Sequence, residues 1–158
     1  MAKVLIVYYS RSGHTEAMAN LVAEGVKSEG VGVECKKVEN TTIDDLLSAD
    51  GIILGSPTYY GTMSAEIKKL LDDSVKYHGK LDGKVGAAFS SSGGVAGGNE
   101  TTVLDMLKAL LIHGMIVQGD PSGDHYGAVA IGKPDDRSAK ECRRKGARVA
   151  KLLKQLGR

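Results

Sequence analysis

The amino-acid sequence predicts a three-layer α/β fold in which a doubly wound parallel sheet lies between two layers of helices. Apolar runs and segments of helical spacing alternate about five times along the chain, which is typical of a parallel sheet covered by helices. The first apolar run, Val4–Tyr9, contains no polar residue, as expected for a strand buried on both faces. With no internal repeat and no linker, we expect one domain over residues 1–158.

Three patterns predict the strands of this sheet. Lys3–Tyr9 and Gly51–Gly55 are almost continuously apolar and are followed by loop residues, which indicates buried strands. Val31, Val33 and Cys35 alternate with polar residues, as in a half-buried strand. Further strands are predicted at Lys84–Phe89, Met115–Gln118 and Ala128–Ile131.

Apolar residues three or four positions apart predict the helices between these strands. The first helix ends at Ser28-Glu29-Gly30. The last extends from about Asp135 to Leu156, and we expect its inner face to consist of Cys142, Gly146, Val149 and Leu153. The other predicted helices are a short acidic one at Ile43–Ser48, one that begins near Ser64, and one that Asn99 and Glu100 are expected to cap.

Composition argues against several classes of protein. The longest apolar run has six residues, which predicts no membrane span, and without a visible secretory signal we expect a cytoplasmic protein. Six Tyr, one Phe and no Trp are too few for a platform that stacks single-stranded nucleic acid. Two cysteines, Cys35 and Cys142, and four scattered histidines predict neither a disulfide framework nor a metal site.

Polar and glycine-rich loops follow three of the predicted strands, at residues 10–15, 56–63 and 90–99. In an open α/β sheet the ligand binds beyond the carboxyl ends of the strands. Because these loops all leave carboxyl ends, we expect them to form one site.

The first loop has the composition of a phosphate-binding loop. It joins a buried strand to the start of a helix, where free backbone N–H groups favour an anion. The alternative is an N-cap turn with incidental hydroxyl groups. Neither G-x-G-x-x-G nor G-x-x-x-x-G-K-[ST] occurs, which argues against ATP, GTP and a resident dinucleotide. Its residues are Ser10, Arg11, Ser12, Gly13, His14 and Thr15.

The other two loops are suited to a flat heterocycle. Tyr59 and Tyr60 follow a central strand and can stack on a ring, the alternative being that they only cover the loop. The third loop offers bare backbone N–H and C=O groups to the polar edge of a ring, the alternative being a disordered loop. The candidates are Ser56, Pro57, Thr58, Tyr59, Tyr60 and Gly61 in the second loop, and Ser90, Ser91, Ser92, Gly93, Gly94 and Gly97 in the third.

These loops resemble the cofactor loops of the flavodoxin family. Ser10–Thr15 is similar to the family's phosphate loop, [Ser/Thr]-x-[Ser/Thr]-Gly-x-Thr. Further segments most closely resemble the tryptophan repressor-binding protein type of NAD(P)H:quinone oxidoreductase: Gly55–Gly61, Phe89–Gly94, Gly97–Thr101, Leu111–Ile116 and Tyr126–Ala128. The resemblance implies a flavodoxin-like sheet of five strands in the order 2-1-3-4-5, with FMN as the cofactor. It also implies that His113 lies near the flavin, the alternative being a histidine that caps a helix end.

The resemblance leaves the function open. An electron carrier is favoured because the chain lacks the insertions that lengthen the quinone reductases. An NAD(P)H-dependent quinone or flavin reductase is the alternative, favoured by the second and third loops; a sensory or scaffolding protein is the least favoured. The expected partners are redox proteins, or quinone and NAD(P)H, and a homo-oligomer can complete the site with neighbouring chains.

Two further expectations concern particular segments. The Tyr60–Gly61 peptide is expected to turn its carbonyl toward the proton that a flavin gains at N5 on one-electron reduction, because glycine makes such a turn easy. Residues from Lys133 onward contain 10 Lys and Arg against 3 Asp and Glu. This basic segment is either a solvated helix surface or a docking site for an acidic redox partner or a neighbouring subunit. Its outward residues are predicted to be Lys140, Arg144, Lys151 and Lys154.

Overall fold

The computed structural model describes residues 1–158 and places all strands in one parallel sheet. Five positions follow the order β2-β1-β3-β4-β5, so the strand order implied by the resemblance is confirmed. The strands are β1 (Lys3–Tyr8), β2 (Gly32–Lys37), β3 (Gly51–Pro57), β4 (Val85–Ser92), β5 (Ile116–Val117) and β6 (Val129–Ile131).

The edge beside β4 is shared by two short strands. β5 pairs with Val85 and Gly86 at the start of β4, and β6 pairs with Ser90–Ser92 at its end. The chain leaves the sheet between these strands, over residues 118–128, which explains why the sequence shows two short apolar segments there. A fourth strand end, that of β6, therefore reaches the same edge of the sheet as the three predicted loops.

Helices cover both faces of the sheet and divide the interior into two cores. Val4 and Ile6 of β1 pack into the core beneath α1 and α5, whereas Leu5 and Val7 pack into the core beneath α2, α3 and α4. This alternation follows from the side-chain period of two along a strand. The helices are α1 (His14–Ser28), α2 (Ile43–Ser48), α3 (Ala65–Asp73), α4 (Asn99–Ile112) and α5 (Asp136–Gln155), with 3₁₀ turns at Val38–Asn40 and Ser74–Tyr77. None of these helices combines the length and the apolar composition needed to cross a bilayer.

Most predicted helix faces and ends agree with the structure. The expected inner face of α5, formed by Cys142, Gly146, Val149 and Leu153, is buried. The expectation that Asn99 and Glu100 cap α4 is wrong. The N-cap is Gly98, whose φ of +99° is a left-handed value that favours glycine, and Asn99 instead donates from Nδ2 to Ser92 Oγ at 2.9 Å.

Candidate functional site

The three predicted loops meet at the carboxyl edge of the sheet and surround a cleft of about 400 Å³. The first loop lies at the start of α1, and the second and third lie at the ends of β3 and β4. The predicted ends of these two strands are too early, because pairing continues to Pro57 and Ser92. Ser56, Pro57 and Ser90–Ser92 are therefore the last strand residues rather than loop residues. The loop after β6 completes the wall. The cleft is lined by Arg11, Ser12, His14, Thr15, Pro57, Thr58, Tyr59, Ser91, Ser92, Gly93 and Gly132.

The first loop presents backbone donors that no protein group uses. Gly13 is the N-cap of α1, and its φ of +93° lets the chain turn sharply into the helix. Ser10 Oγ accepts the Gly13 N–H at 3.1 Å, which closes the turn. The N–H groups of Arg11, Ser12, His14 and Thr15 donate to no acceptor in the protein. Unpaired donors at a helix N-terminus form the environment that stabilises an anion.

Hydroxyl groups tie the three loops together. Thr15 Oγ1 lies 2.9 Å from Ser91 Oγ in a buried contact between the first and third loops. Thr58 Oγ1 lies 3.0 Å from Ser90 Oγ, and the Thr58 N–H donates to the Ser91 carbonyl at 2.7 Å, which joins the second loop to the third. These serine hydroxyls thus hold the cleft together.

The second loop forms a two-residue hairpin at the mouth of the cleft. The Tyr59 N–H donates to the Thr62 carbonyl at 2.9 Å, and the Thr62 N–H donates back at 3.2 Å. Both central residues are left-handed, with φ of +48° at Tyr60 and +83° at Gly61, as in a type I′ turn. Tyr60 is fully exposed, whereas Tyr59 lines the cleft and meets Tyr9 edge-to-face with 6.3 Å between ring centroids. Tyr59 is therefore the better placed of the two to stack on a ring.

Some predicted residues belong to the loops without lining the cleft. Ser56 is fully buried, and its Oγ accepts the Ser64 N–H at 2.8 Å and donates to the Pro57 carbonyl at 2.8 Å, so it stabilises the second loop. The remaining members of this group are Ser10, Gly13, Tyr60, Gly61, Ser90, Gly94 and Gly97.

The structure does not bring His113 to this cleft. It follows the last turn of α4 and precedes β5, at the amino edge of the sheet, because a helix that starts at one edge of a parallel sheet ends at the other. Its Nε2 lies 2.8 Å from Ser74 Oγ, and burial lowers the pKa of the imidazole, with a smaller contribution from His78. The ring does not cap the helix carbonyls either.

Sequence reasoning missed Gly132. It lines the cleft just beyond β6, and its N–H donates to the Ser92 carbonyl at 2.8 Å. The signal was present, since Gly132 follows a predicted strand in the same way as the other three loops. No group of three or more His, Cys, Asp and Glu side chains is arranged to hold a metal ion.

Comparisons with known proteins point to two kinds of relative. Residues 36–124 match the family described as NADPH-dependent FMN reductase. The chain is 46% identical to a flavodoxin of Aquifex aeolicus, over 97% of this chain and 88% of that protein. It is 35% identical to an NAD(P)H dehydrogenase (quinone) of Sinorhizobium fredii, over 99% of each.

Solved structures show the same pair of likenesses. A flavodoxin from the domain Archaea has a TM-score of 0.81 and 31% identity, covering 96% of this chain and 99% of that chain. A WrbA-like flavodoxin from Agrobacterium tumefaciens has a TM-score of 0.83 and 30% identity, covering 98% and 99%. Both kinds of relative match nearly the whole of this chain.

Proposed function

This chain belongs to the flavodoxin family, and on that premise we propose that it acts as an electron carrier. The predicted cofactor, FMN, is confirmed by the family match and the flavodoxin relatives. When bound, FMN supplies a ring that accepts and donates electrons. Residues of three loops would hold the phosphate and the ring of FMN within one domain, residues 1–158.

The first loop would hold the phosphate of FMN. Its four unused N–H groups, at Arg11, Ser12, His14 and Thr15, match the several acceptor oxygens of a phosphate. The loop contains no lysine or carboxylate, so fixed dipoles, the Arg11 guanidinium and the Ser12 hydroxyl would stabilise the dianion. Arg11 and Ser12 of this loop line the same cleft as Tyr59, so the phosphate and the ring would lie in one cleft.

The second and third loops would hold the ring. Tyr59 presents an aromatic face, and its edge-to-face contact with Tyr9 fixes the orientation of that face. The hydroxyls and carbonyls of Ser91 and Ser92 are engaged within the protein. The N–H and C=O of Gly93, which lines the cleft, have no partner and would contact the polar edge of the ring. The Tyr60–Gly61 peptide has no hydrogen bond in the protein and is free to turn.

The observation that carries the choice of a carrier is that one chain's cleft is lined only by loops that FMN itself would occupy. Every residue that lines this cleft belongs to the three loops or follows β6. Chain length supports the same choice: alignments with the flavodoxins span 162 positions, whereas those with the S. fredii quinone dehydrogenase span 197 against 158 residues here.

The alternative is an NAD(P)H-dependent quinone reductase. It is favoured by the family described as NADPH-dependent FMN reductase and by the 35% identity over the full length of the S. fredii relative. In that case a homo-oligomer would complete the nicotinamide pocket, and quinone and NAD(P)H would be the partners. Under the carrier proposal the partners are redox proteins of the cytoplasm.

One anaerobic mixing experiment separates these two functions. FMN-loaded protein is mixed with NADH or NADPH and a benzoquinone, and the flavin absorbance is followed. We expect little bleaching on mixing, and rapid bleaching once a separate flavodoxin reductase is added. Rapid bleaching without that reductase, followed by quinone-dependent turnover, would replace the carrier with the reductase.

A further inference from the structure

Two side chains of α4 anchor the Tyr59–Thr62 hairpin. Thr62 Oγ1 donates to Asp105 Oδ2 at 2.6 Å, and Thr101 Oγ1 donates to the Gly61 carbonyl at 3.1 Å. The hairpin and α4 are 43 residues apart in sequence at the first contact. The position of the hairpin beside the cleft therefore depends on α4 as well as on its own turn.

The contact with Asp105 is the stronger of the two anchors. A hydroxyl has one proton, and Thr101 Oγ1 also lies 2.9 Å from the Gly98 carbonyl, so its proton is shared between two acceptors. The Thr62–Asp105 contact has the short length of a hydrogen bond to a carboxylate. Lys108 Nζ lies 2.7 Å from Asp105 Oδ1. The hydrogen bond from Lys108, and after it the one from Thr62, lowers the pKa of the Asp105 carboxyl.

The anchors leave the tip of the hairpin free. The Gly61 N–H and the Tyr60 carbonyl, which form one peptide group, have no partner in the protein. Tyr60 holds a left-handed φ of +48°, a conformation disfavoured for a residue with a side chain. Such a conformation persists where surrounding contacts hold it. Asp105 supplies such a contact at the carboxyl end of the hairpin.

We propose that Asp105 is a positioning residue for the redox site. Through Thr62 it holds the hairpin in one place before the cofactor is reduced, so that only the Tyr60–Gly61 peptide has to turn toward the ring. An ordered hairpin loses less conformational freedom when it contacts the reduced ring. Asp105 would thereby raise the first reduction potential of bound FMN. This inference rests on the proposed function, since it requires FMN in the cleft.

The test compares the two one-electron potentials of bound FMN in variants of the anchor. Asp105→Ala and Thr62→Val each remove the hydrogen bond, and Thr62→Ser retains the hydroxyl. We expect Asp105→Ala and Thr62→Val to lower the potential of the first one-electron step by up to about 59 mV. This shift corresponds to a tenfold change in the equilibrium constant of that step. We expect the second potential to move less and Thr62→Ser to match the wild type.

Two controls show whether the effect belongs to the anchor. Asp72 forms a similar ion pair with Lys68, at 2.6 Å on α3, without touching the hairpin, so Asp72→Ala should leave both potentials unchanged. The double variant Thr62→Val/Asp105→Ala should resemble either single variant, because both remove the same bond. Additive shifts, or equal shifts in Asp72→Ala and Asp105→Ala, would overturn the inference.

A measurement on the apoprotein distinguishes this inference from the proposed function. The amide N–H groups of Tyr59 and Thr62 bond across the hairpin, and we expect Asp105→Ala to speed their hydrogen exchange at least tenfold while Asp72→Ala does not. If Asp105→Ala binds FMN normally and leaves both the exchange rates and the potentials unchanged, the role of Asp105 is refuted and the proposed function stands. Absence of FMN binding by the wild type would refute the proposed function and the inference together.

Discussion

The helices on the two faces of the sheet are held by different kinds of contact. α1 and α5 approach so closely that a Cβ on Gly25 or Gly146 would overlap a backbone carbonyl of the other helix. The Arg143–Glu24 ion pair, at 2.7 Å, also joins these two helices. Between α3 and α4, in contrast, lies a groove of about 420 Å³, and ion pairs such as Lys68–Asp72 connect residues of one helix.

Because of this difference, the two ends of the site are held by different helices. The first loop, where we propose that the phosphate binds, begins α1 and so depends on the tightly packed layer. The hairpin of the second loop depends on α4, through the Thr62–Asp105 hydrogen bond. We therefore expect changes in the first layer to alter stability and phosphate binding, and changes near α4 to alter the environment of the ring.

The largest expected effect comes from breaking the contact between α1 and α5. A side chain at Gly146 would meet the Val22 carbonyl, so Gly146→Val should lower the free energy of unfolding by about 3 kcal/mol. Urea denaturation measures this loss. Gly32→Ala is the control, because its Cβ would lie at an ordinary 3.4 Å from the Ala2 carbonyl. Similar losses in both variants would contradict the importance of this contact.

A negative charge in the phosphate loop should have the next largest effect. Ser12→Asp places a carboxylate beside the four unused N–H groups and should weaken FMN binding about 100-fold, or about 2.7 kcal/mol. Quenching of flavin fluorescence on titration into apoprotein measures the affinity. Ser12→Asn, which is similar in size and uncharged, should bind within a few-fold of the wild type. Undiminished quenching by Ser12→Asp would show that the phosphate does not bind at this loop.

The variant Asp120→Ala tests how residues 118–128 are attached to α5. Its buried carboxylate lies 2.6 Å from Arg144 Nε and 3.3 Å from Arg148 Nε. Because both arginines are partly exposed, we expect Asp120→Ala to cost about 2 kcal/mol at pH 7, less than a fully buried pair. Thermal unfolding measures this loss, and Asp136→Ala, at an exposed position of α5 without an ion pair, should cost less.

The Asp120–Arg144 ion pair also predicts how the stability of the protein changes with pH. The hydrogen bond from Arg144 holds the pKa of Asp120 well below its ordinary value, so the folded protein binds that proton less readily than the unfolded chain. The contribution of Asp120 is therefore complete above pH ~4 and is lost as the pH falls further. The difference in stability between wild type and Asp120→Ala should narrow below pH ~4. A difference that widens there would contradict the ion pair.

A substitution at Gly61 tests the role of the hairpin, with a smaller expected effect. A Cβ at Gly61 would meet no atom within 4 Å, so the cost of Gly61→Ala is the left-handed φ alone, about 1 kcal/mol. We expect the first reduction potential of FMN to shift more than the affinity for oxidised FMN. Gly61→Asn should shift it less, because asparagine tolerates this conformation. Equal small changes in potential and affinity would argue against the turning peptide.

The smallest effect is expected from the basic segment. Arg144 pairs with Asp120, and Lys151 and Lys154 share Glu29 at 3.5 and 3.0 Å, so three of the four predicted outward residues have an acidic partner within the chain. This arrangement favours the solvated surface over the docking site. We expect electron transfer to a partner protein to change by no more than about twofold between low salt and about 1 M, where screening is nearly complete. A steep fall would restore the docking interpretation.

The sequence by itself determined the features that depend on neighbouring residues. Helical spacing, alternation and apolar runs predicted the five α-helices and six strands, because burial of one face or of both faces sets the local pattern, but not the two 3₁₀ turns. The unpaired N–H groups of the first loop are also a local feature, since a glycine at position 13 and the start of a helix suffice to expose them.

Only the tertiary structure decided which of these residues meet. Thr15 and Ser91 are 76 residues apart and touch because parallel strands bring their carboxyl ends to one edge. The same packing sends His113 to the opposite edge, although its sequence context resembles that of a flavin-site histidine, and brings Gly132 into the cleft. The hydrogen bonds by which Ser56 and Asp105 hold the second loop could not be predicted from the sequence either. Such bonds depend on how the elements pack and produce no periodic pattern in the chain.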